Sequence, residues 1–292
     1  MGHPVPNRQR RAPRASLHRS ELPCCAMPEL SVASFNTHAG MDGWGRPYDL
    51  TEACRRLDSD VIVLQEVFAP LGAPSQADDI AGDLGYTAVE LPLAKAWRRT
   101  VPIVAGRGWE PRKVLPLWEK ALRVGGRVDS GSADLVGYEE GTWGVAVLCR
   151  PPIVRTEALQ LGRLRRDFTH RSALLVELGT GGDDHDVFTV IGTHMAHLTA
   201  GSPKLLHRLL ADLPPKTRPA ALAGDMNLWG PPLTLLFPGW SRAVKGRTWP
   251  AWWPHSQTDH ILITRAVNVE EAQVIRVGNS DHRAVRARLS WH

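Results

Sequence analysis

The sequence reads LSVASFN at residues 30–36 and DVIVLQE at residues 60–66, and these two segments decide the fold class. The first alternates apolar and polar residues with a period of two, which is typical of a strand with one buried face. The second contains Val61-Ile-Val-Leu64, a continuous apolar run of the kind that is buried on both faces of a sheet. Between them, Asp49 can cap a helix with apolar residues on one side. A strand, a helix and a strand in this order indicate an α/β fold.

The rest of the chain contains many strand patterns and few helical ones. The strand candidates are Tyr86–Leu91, Trp143–Leu148, Ile153–Leu161, Ala173–Leu178, Val187–Thr193, Ala220–Ala223, Thr258–Ile263, Val267–Ile275 and Ala284–Leu289. Helical periodicity covers 76–84, 113–123 and 203–212. This balance predicts an α/β protein with two sheets.

Charge and length exclude some classes of function. The 292 residues carry a formal net charge of +5, but residues 1–28 contain five arginines against one glutamate, which leaves 30 basic and 29 acidic residues in the remainder. The basic character therefore belongs to the N-terminal segment, and it gives little support to nucleic-acid binding by the folded part. The longest uncharged apolar stretch, 228–241, is interrupted by prolines and is shorter than the about 20 residues needed to span a bilayer. We expect a monomeric cytoplasmic protein.

Residues 1–28 are rich in Arg, Pro and Ser, and they predict a disordered basic tail before a single domain at 29–292. Met27 directly precedes the first strand pattern, so translation can also begin there. The four cysteines show no C-x-x-C spacing, which indicates buried thiols in a reducing compartment and no zinc site.

Between Pro92 and Gly141 the pattern is irregular, and we interpret this stretch as an insertion between two strands. It contains Arg98 and Arg99, which are candidates for substrate binding. Long loops on a rigid scaffold often carry function, so the insertion is either a lid facing the substrate or a surface loop with locally packed tryptophans.

Polar residues stand beside predicted strands at several separate places. They are Asn36, Glu66, His194, Asp225, Asn227, Asp259, Asp281 and His282. A single Asp or Asn at a strand end commonly caps a turn. A whole set at strand ends instead predicts one crevice, where oxygen ligands and two histidines can bind a hard cation and a phosphate.

Read together, these segments resemble the endonuclease/exonuclease/phosphatase superfamily, which has the deoxyribonuclease-I-like fold. The matching motifs are Ser34-Phe-Asn36, Asp60–Glu66, Gly141–Leu148, Gly192-Thr-His194, Gly224-Asp-Met-Asn227, Thr258-Asp-His-Ile261 and Ser280-Asp-His282. They run in the family's order and cover nearly everything outside the tail. The resemblance implies a four-layered α/β/β/α sandwich, with two facing mixed sheets, that hydrolyses phosphoesters with a divalent metal at one edge.

The resemblance also implies roles for the residues. Asn36 and Glu66 would hold Mg²⁺ or Mn²⁺, with Asp281 as a further contributor. Asp259 would fix the tautomer of His282, which would contact the phosphate and serve as, or orient, the general base. Asp225 would position or deprotonate the attacking water, Asn227 would donate to a phosphoryl oxygen, and His194 would act as a general acid or stabilise developing charge near the leaving group. The reaction would be an in-line attack of water on phosphorus.

The substrate stays open among nucleic acid, a lipid head group and a small phosphate ester. Trp249 and Trp252, in a Pro/Trp-rich segment before Thr258, are candidates to stack a base or line a lipid slot, or they pack as a supporting loop. Some family nucleases carry a further catalytic Tyr or Glu, and Tyr138, Glu139 and Glu140 do not align clearly with it. A DNA endonuclease is one alternative, and a non-catalytic binding module that retains the fold is another.

Overall fold

The computed structural model describes residues 28–99 and 138–291, apart from residues 44, 166, 168 and 182–186. The predicted tail, the predicted helix at 113–123 and most of the predicted insertion lie outside these residues. The strands found within them are β1 (Glu29–Asn36), β2 (Val61–Pro70), β3 (Thr87–Arg99), β4 (Tyr138–Cys149), β5 (Ile153–Gly162), β6 (Arg171–Gly179), β7 (Val187–His194), β8 (Ala220–Asp225), β9 (Trp240–Arg242), β10 (Asp259–Thr264), β11 (Val267–Ile275) and β12 (Ala284–Trp291).

The strands form two mixed sheets of six strands each. Their orders are β11-β12-β1-β2-β4-β3 and β5-β6-β7-β8-β10-β9. The parallel pairs β1–β2 and β7–β8 lie near the middle of the two sheets, and the remaining pairs are antiparallel. The β-branched residues of the sequence pattern explain the extended backbone, since their side chains pack well on a pleated surface.

The two sheets face each other across an apolar core. Val63 and Val147 of the first sheet belong to the same buried cluster as Val176 and Val190 of the second. The sheets approach closely at Gly192, where an added Cβ would lie 2.9 Å from Val63 Cγ1 and 3.0 Å from Val147 Cγ2. A side chain at this position would push the sheets apart.

Helices cover the outer faces of both sheets. Within the described ranges they are α1 (Leu50–Leu57), α2 (Gln76–Leu84), α3 (Ser202–Asp212) and α4 (Gly230–Leu236). The first two pack on the first sheet, and the last two pack on the second. As predicted, α1 begins after Asp49, whose carboxylate accepts a hydrogen bond from the Glu52 N–H at 2.8 Å. The layers are α/β/β/α, so the predicted four-layered sandwich is confirmed.

Several strands are longer than their sequence patterns indicate. Strand β2 does not end before Glu66 but continues to Pro70 through a bulge between Gln65 and Val67. Strand β3 passes Pro92 with a register shift, and it extends to Arg99. A bulge absorbs residues that would otherwise break the hydrogen-bond ladder. The first and last parts of the predicted 92–141 insertion are therefore strand residues.

The described residues contain one α-helix that the sequence pattern did not predict. In the 228–241 stretch, Pro231 and Pro232 occupy the first turn of α4. Proline is tolerated there, because the first backbone N–H groups of a helix have no partner within it. None of the helices in the described ranges is long and apolar enough to cross a membrane.

Candidate active site

The predicted site residues come from both sheets and meet at one edge of the sandwich. Asn36, His194 and Asp225 end β1, β7 and β8. His194 pairs with Asp225 across the parallel ladder, and Asp225 pairs with Asp259 across the antiparallel one. Asp281 and His282 directly precede β12, which runs antiparallel to β1, so they lie at the same edge. The strand order of the two sheets thus brings residues together that are far apart in the sequence.

Asn36 joins the two sheets at this edge. Its amide nitrogen donates to Glu66 Oε1 at 3.3 Å and to Asp225 Oδ2 at 3.2 Å. Its amide oxygen accepts from the backbone N–H of His38 at 3.1 Å, which fixes the orientation of the amide. The nitrogen, rather than the oxygen, therefore faces the two carboxylates, and Asn36 holds them at a fixed separation.

Glu66 projects into the site from the bulge in β2. Its backbone has a φ of 56°, in the left-handed region that side-chain-bearing residues rarely adopt. The Thr37 hydroxyl donates to the Gln65 and Glu66 carbonyl oxygens at 3.0 and 3.1 Å and supports this turn of the chain. Strained residues of this kind cluster at functional sites. Burial raises the pKa of the Glu66 carboxyl, and the nearby His38 opposes that rise.

His282 and Asp259 form the expected pair. His282 Nδ1 lies 2.9 Å from Asp259 Oδ2, and its Nε2 faces Asp225 Oδ2 at 3.9 Å. Asp259 is fully buried, and its carboxylate also accepts from the Thr258 hydroxyl at 3.1 Å. Burial alone would lower the pKa of His282, but the carboxylates of Asp259, Asp281 and Asp225 outweigh it, and the pKa lies well above its ordinary value. These carboxylates therefore favour the protonated form of His282.

Asp225 lies at the centre of the group with only 2% of its surface exposed. Burial and the neighbouring Asp259 carboxylate raise its pKa to about 7, against the attraction of His282. Its Oδ1 accepts from the Asn227 backbone N–H at 2.9 Å. A carboxyl with this pKa can exchange a proton near neutral pH.

The pKa of His194 is shifted in the opposite direction from that of His282. Its Nε2 lies 3.8 Å from Glu66 Oε1 and 3.7 Å from Asp225 Oδ2. Burial, with smaller contributions from Arg171 and His282, holds its pKa well below the ordinary value, so the imidazole is neutral. Its ring contacts the Trp143 ring edge-on, with centroids 5.3 Å apart.

Arg171 supports His194, although the sequence pattern gave no reason to select it. Its Nη1 donates to the His194 carbonyl at 3.1 Å, and its Nε donates to Asp167 Oδ2 at 2.8 Å. The guanidinium carbon lies 5.2 Å from the centre of the Trp143 ring. The available signal was its place two residues before the predicted strand Ala173–Leu178, which lies beside the strand that ends in His194.

His38 is a second residue that sequence reasoning passed over. It lies two residues after Asn36 in a turn with positive φ, and its Nδ1 is 3.7 Å from Asp281 Oδ1. Burial alone would raise the pKa of Asp281, but the imidazoles of His38 and His282 lower it. The other Asp281 oxygen accepts from Trp249 Nε1 at 3.4 Å. The only sequence signal for His38 was its closeness to Asn36.

Three further predicted residues are described at or near the edge of this group. Asn227 donates through its amide to the Met195 carbonyl at 3.0 Å. Trp252 is half exposed. Its ring packs against Gly43 near Asp281, since a Cβ added to Gly43 would lie 3.0 Å from the Trp252 ring and 3.7 Å from Asp281 Cβ. Arg98 pairs with Glu139 at 2.8 Å, so its charge is already compensated. The side chain of Arg99 lies outside the described part of the chain.

The donor atoms fit a divalent cation. Glu66 Oε2 and Asp281 Oδ1 are buried without a hydrogen-bond partner among the described residues, which is costly for carboxylate oxygens unless a cation is bound. Asp225, Asp259 and His282 also have donor atoms within 4.8 Å of one another, but the last two already share a hydrogen bond. Carboxylate oxygens are hard ligands of the type that Mg²⁺ prefers.

An α/β/β/α sandwich with carboxylates and histidines at one edge defines the class of protein. The sequence model of the Endonuclease/Exonuclease/phosphatase family matches residues 33–282, which is most of the chain. The chain belongs to this family. A search among curated proteins found no match.

Solved structures support the fold. The chain is similar to an endonuclease/exonuclease/phosphatase from Beutenbergia cavernae (20% identity, TM-score 0.60, covering 90% of this chain and 72% of that one). It is also similar to D. rerio TDP2 complexed with single strand DNA product (14%, 0.56, 90% and 99%). The human Nocturnin catalytic domain with bound sulfate anion is a third such structure (16%, 0.56, 91% and 96%). At these identities the likeness concerns the fold.

Proposed function

We propose that this protein is a divalent-metal-dependent phosphoester hydrolase, with Mg²⁺ or Mn²⁺ as the cation. The observation that carries the proposal is the convergence of Glu66, Asp225 and Asp281 with His194 and His282 at one edge. Family membership supports it, and so does the sulfate that the Nocturnin structure contains, since sulfate resembles phosphate in shape and charge.

Glu66 and Asp281 are the residues proposed to hold the cation, with Asn36 fixing Glu66 by a hydrogen bond. When bound, the cation would neutralise charge on the phosphoryl oxygens, a contribution of several kcal/mol. Burial and the nearby carboxylates raise the pKa of both Glu66 and Asp225, and a bound cation would offset this repulsion between negative charges.

Asp225 is the residue proposed to take the proton from the attacking water, because its pKa of about 7 allows it to act as a base at neutral pH. His282, held as an imidazolium by Asp259, suits contact with a phosphoryl oxygen better than proton abstraction. His194 is neutral and suits hydrogen-bond donation to developing charge. Asn227 is proposed to donate to the phosphate through the second N–H of its amide. Water attacks phosphorus in line, the bond between phosphorus and the ester oxygen breaks, and that oxygen leaves as the alcohol after taking a proton from solvent, to which Asp225 releases the proton it removed.

A parallel assay tests the proposal. The protein is incubated with Mg²⁺ and with bis-p-nitrophenyl phosphate, p-nitrophenyl phosphate, plasmid DNA or sphingomyelin. We expect release of p-nitrophenol that EDTA stops and Mg²⁺ restores. His282→Ala should lower the rate by at least about 100-fold, whereas His207→Ala, at an exposed position of α3, should not change it. Turnover that survives both EDTA and His282→Ala would refute the proposal.

Cleavage of DNA is a second candidate activity. Arg163 and Arg165 are exposed on the loop between β5 and β6, at the same end of the sheet as His194. Exposed arginines at that end can contact a phosphate backbone, and the similar TDP2 structure contains a single strand DNA product. Nicking of the plasmid, with loss of that activity in an Arg163→Ala/Arg165→Ala variant, would establish it. Hydrolysis of the small diester without nicking would exclude it.

The cytoplasm is our proposed compartment. Cys54 and Cys149 are buried free thiols, which suit a reducing environment.

A further inference from the structure

The two carboxylate oxygens proposed to face the cation, Glu66 Oε2 and Asp281 Oδ1, have a neighbour of the same kind in His38 Nδ1. All three atoms are shielded from solvent and have no hydrogen-bond partner among the described residues. The carboxylates of Asp281 and Glu66 both attract the imidazole of His38. A buried polar atom without a partner is costly, so the imidazole needs a partner as much as the two carboxylates do.

The distance between His38 and Asp281 suits a shared cation. His38 Nδ1 lies 3.7 Å from Asp281 Oδ1. A charge-assisted hydrogen bond between nitrogen and carboxylate oxygen is about 2.7–2.9 Å long, so these two atoms do not bond to each other directly. Two ligands that each lie about 2.0–2.2 Å from one divalent ion are about 3–4 Å apart. The separation therefore fits two ligands of one ion.

In each carboxylate, a neighbour fixes one oxygen and leaves the other without a partner. Trp249 Nε1 donates to Asp281 Oδ2 at 3.4 Å, and Oδ1 then faces His38. Asn36 donates to Glu66 Oε1 at 3.3 Å, and Oε2 is the oxygen that remains. The two carboxylates are thus oriented before any cation binds.

The turn after β1 replaces one ligand with another. The amide oxygen of Asn36 is not free to bind a cation, because it accepts from the backbone N–H of His38 at 3.1 Å. The same turn places the His38 imidazole beside Asp281. A nitrogen ligand therefore stands where the sequence pattern suggested an amide oxygen.

The turn that carries His38 is held in place from several sides. His38 and Ala39 both have left-handed backbones, with φ of 49° and 54°, which residues with side chains rarely adopt. Gln76 Nε2 donates to the Ala39 carbonyl at 3.0 Å, and the Tyr48 hydroxyl donates to the Thr37 carbonyl at 2.7 Å. An imidazole on a turn fixed in this way needs little ordering when a ligand binds.

We propose that His38 is a third protein ligand of the cation, beside Glu66 and Asp281, and that its nitrogen makes the site favour Mn²⁺ over Mg²⁺. Mg²⁺ takes oxygen ligands and keeps water in its other positions. Imidazole suits first-row transition ions, and of the two proposed cations only Mn²⁺ is one of these. The inference rests on the cation site of the proposed function, and it adds a ligand and a preference between the two cations.

Pulsed electron paramagnetic resonance of protein-bound Mn²⁺ tests the ligand without any substrate. An imidazole nitrogen bonded to Mn²⁺ modulates the electron spin echo, whereas carboxylate and water oxygens do not. We expect nitrogen modulation in the wild type and its loss in His38→Asn, since asparagine tolerates a left-handed backbone but has no imidazole. His207→Asn, at an exposed position of α3, is the matched control and should keep the modulation.

Isothermal titration with each cation measures the preference. The wild type should bind Mn²⁺ more tightly than Mg²⁺. Loss of one ligand in His38→Asn should weaken Mn²⁺ binding by at least about tenfold. Mg²⁺ binding should change by less than about threefold, because water can take the vacated position on Mg²⁺. The His207→Asn control should leave both affinities unchanged, and circular dichroism should show that the variants are folded.

The wild-type spectrum decides the question even without a variant, since an echo that lacks nitrogen modulation would overturn the ligand assignment. Modulation that persists in His38→Asn would also overturn it, because another histidine would then be the ligand. Equal affinity of the wild type for the two cations would overturn the preference. Each of these results leaves the proposed function intact if bis-p-nitrophenyl phosphate is still hydrolysed with a divalent cation. Absence of hydrolysis of every ester with either cation would refute the proposed function instead.

Discussion

At position 66 a left-handed backbone turns a carboxylate out of β2 and into the site. A non-glycine residue in this conformation costs about 1–3 kcal/mol. The hydroxyl of Thr37 and the amide of Asn36 hold Glu66 there. The strain is therefore maintained by two neighbouring side chains that belong to the same edge of the sheet.

Asp225→Asn should separate activity from stability. We expect hydrolysis to fall by at least about 100-fold, because the amide cannot accept the proton from water. In EDTA the melting temperature should be equal or higher, since a buried carboxyl with a raised pKa disfavours the folded state at neutral pH. Calorimetry with and without EDTA checks the second part, and a clear loss of stability in EDTA would contradict it.

His260 should make stability depend on pH. It is fully buried, its Nε2 lies 3.0 Å from the Leu228 carbonyl oxygen, and burial lowers its pKa to about 4. Between pH 4 and the ordinary value of 6.5 the unfolded chain binds one proton more than the folded one. The free energy of unfolding should therefore fall as pH decreases through this window, by up to roughly 3 kcal/mol.

His260→Gln removes the titration and keeps an N–H donor, so it isolates this contribution from the carboxylates of the site. Urea unfolding of both proteins at pH 7 and pH 4.5 measures it. We expect the variant to lose less stability than the wild type over this range. Parallel losses would mean that His260 does not titrate as inferred.

Residue types at strand ends were sufficient to predict most of the group at the edge. Asn36, His194, Asp225 and Asp259 were selected because they stand at or near the ends of predicted strands and lie in motifs that resemble those of the family. His38 and Arg171 could not be found this way. Their roles depend on contacts with Asp281 and with the His194 carbonyl, which only the assembled sheets create.

A buried ion pair between Asp167 and Arg171 joins the loop before β6 to the first residue of that strand. Arg171→Met should lower the free energy of unfolding by about 3–5 kcal/mol, because it leaves the Asp167 carboxylate buried without its partner. The double variant Asp167→Leu/Arg171→Met should recover much of the loss. Urea unfolding of the three variants forms the cycle, and additive losses would show that the pair is not coupled.

Replacement of two glycines by alanine should change the stability of the fold in opposite directions. Gly192→Ala should destabilise the fold by about 1–3 kcal/mol, since its Cβ would lie against Val63 and Val147 of the other sheet. Gly82→Ala, within α2 and with open space around it, should stabilise the fold by about 0.5–1 kcal/mol. Thermal unfolding of both variants checks the pair, and a neutral Gly192→Ala would mean that the sheets adjust freely.

Element boundaries were harder to predict than element types. The pattern at 61–64 identified β2, but not its continuation to Pro70, because a bulge adds a residue without any change in composition. In the same way, Pro231 and Pro232 are compatible with a loop or with a helix start. The helix is favoured because Leu233 packs into the apolar cluster on the outer face of the second sheet.

For the whole molecule, the cation should stabilise the fold. At Mg²⁺ concentrations about 100 times the dissociation constant, the free energy of unfolding should rise by about 2.7 kcal/mol. Glu66→Gln should abolish most of this increase, whereas Asp212→Asn, at an exposed position on α3, should preserve it. Differential scanning fluorimetry over a Mg²⁺ titration measures the effect, and an unchanged midpoint in the wild type would argue against a metal site.

The hydrogen bond from the Asn36 amide to Asp225 connects one sheet to the other at 3.2 Å. Neither half of the sandwich contains a complete set of reactive groups, so chemistry requires that the two halves are aligned to within a fraction of an ångström. Heating that lets one sheet shift against the other would abolish the proposed hydrolysis while the helices and strands are still intact. Turnover should therefore be lost at a lower temperature than the circular dichroism signal. The difference between the two temperatures measures how strongly the two sheets are held in alignment.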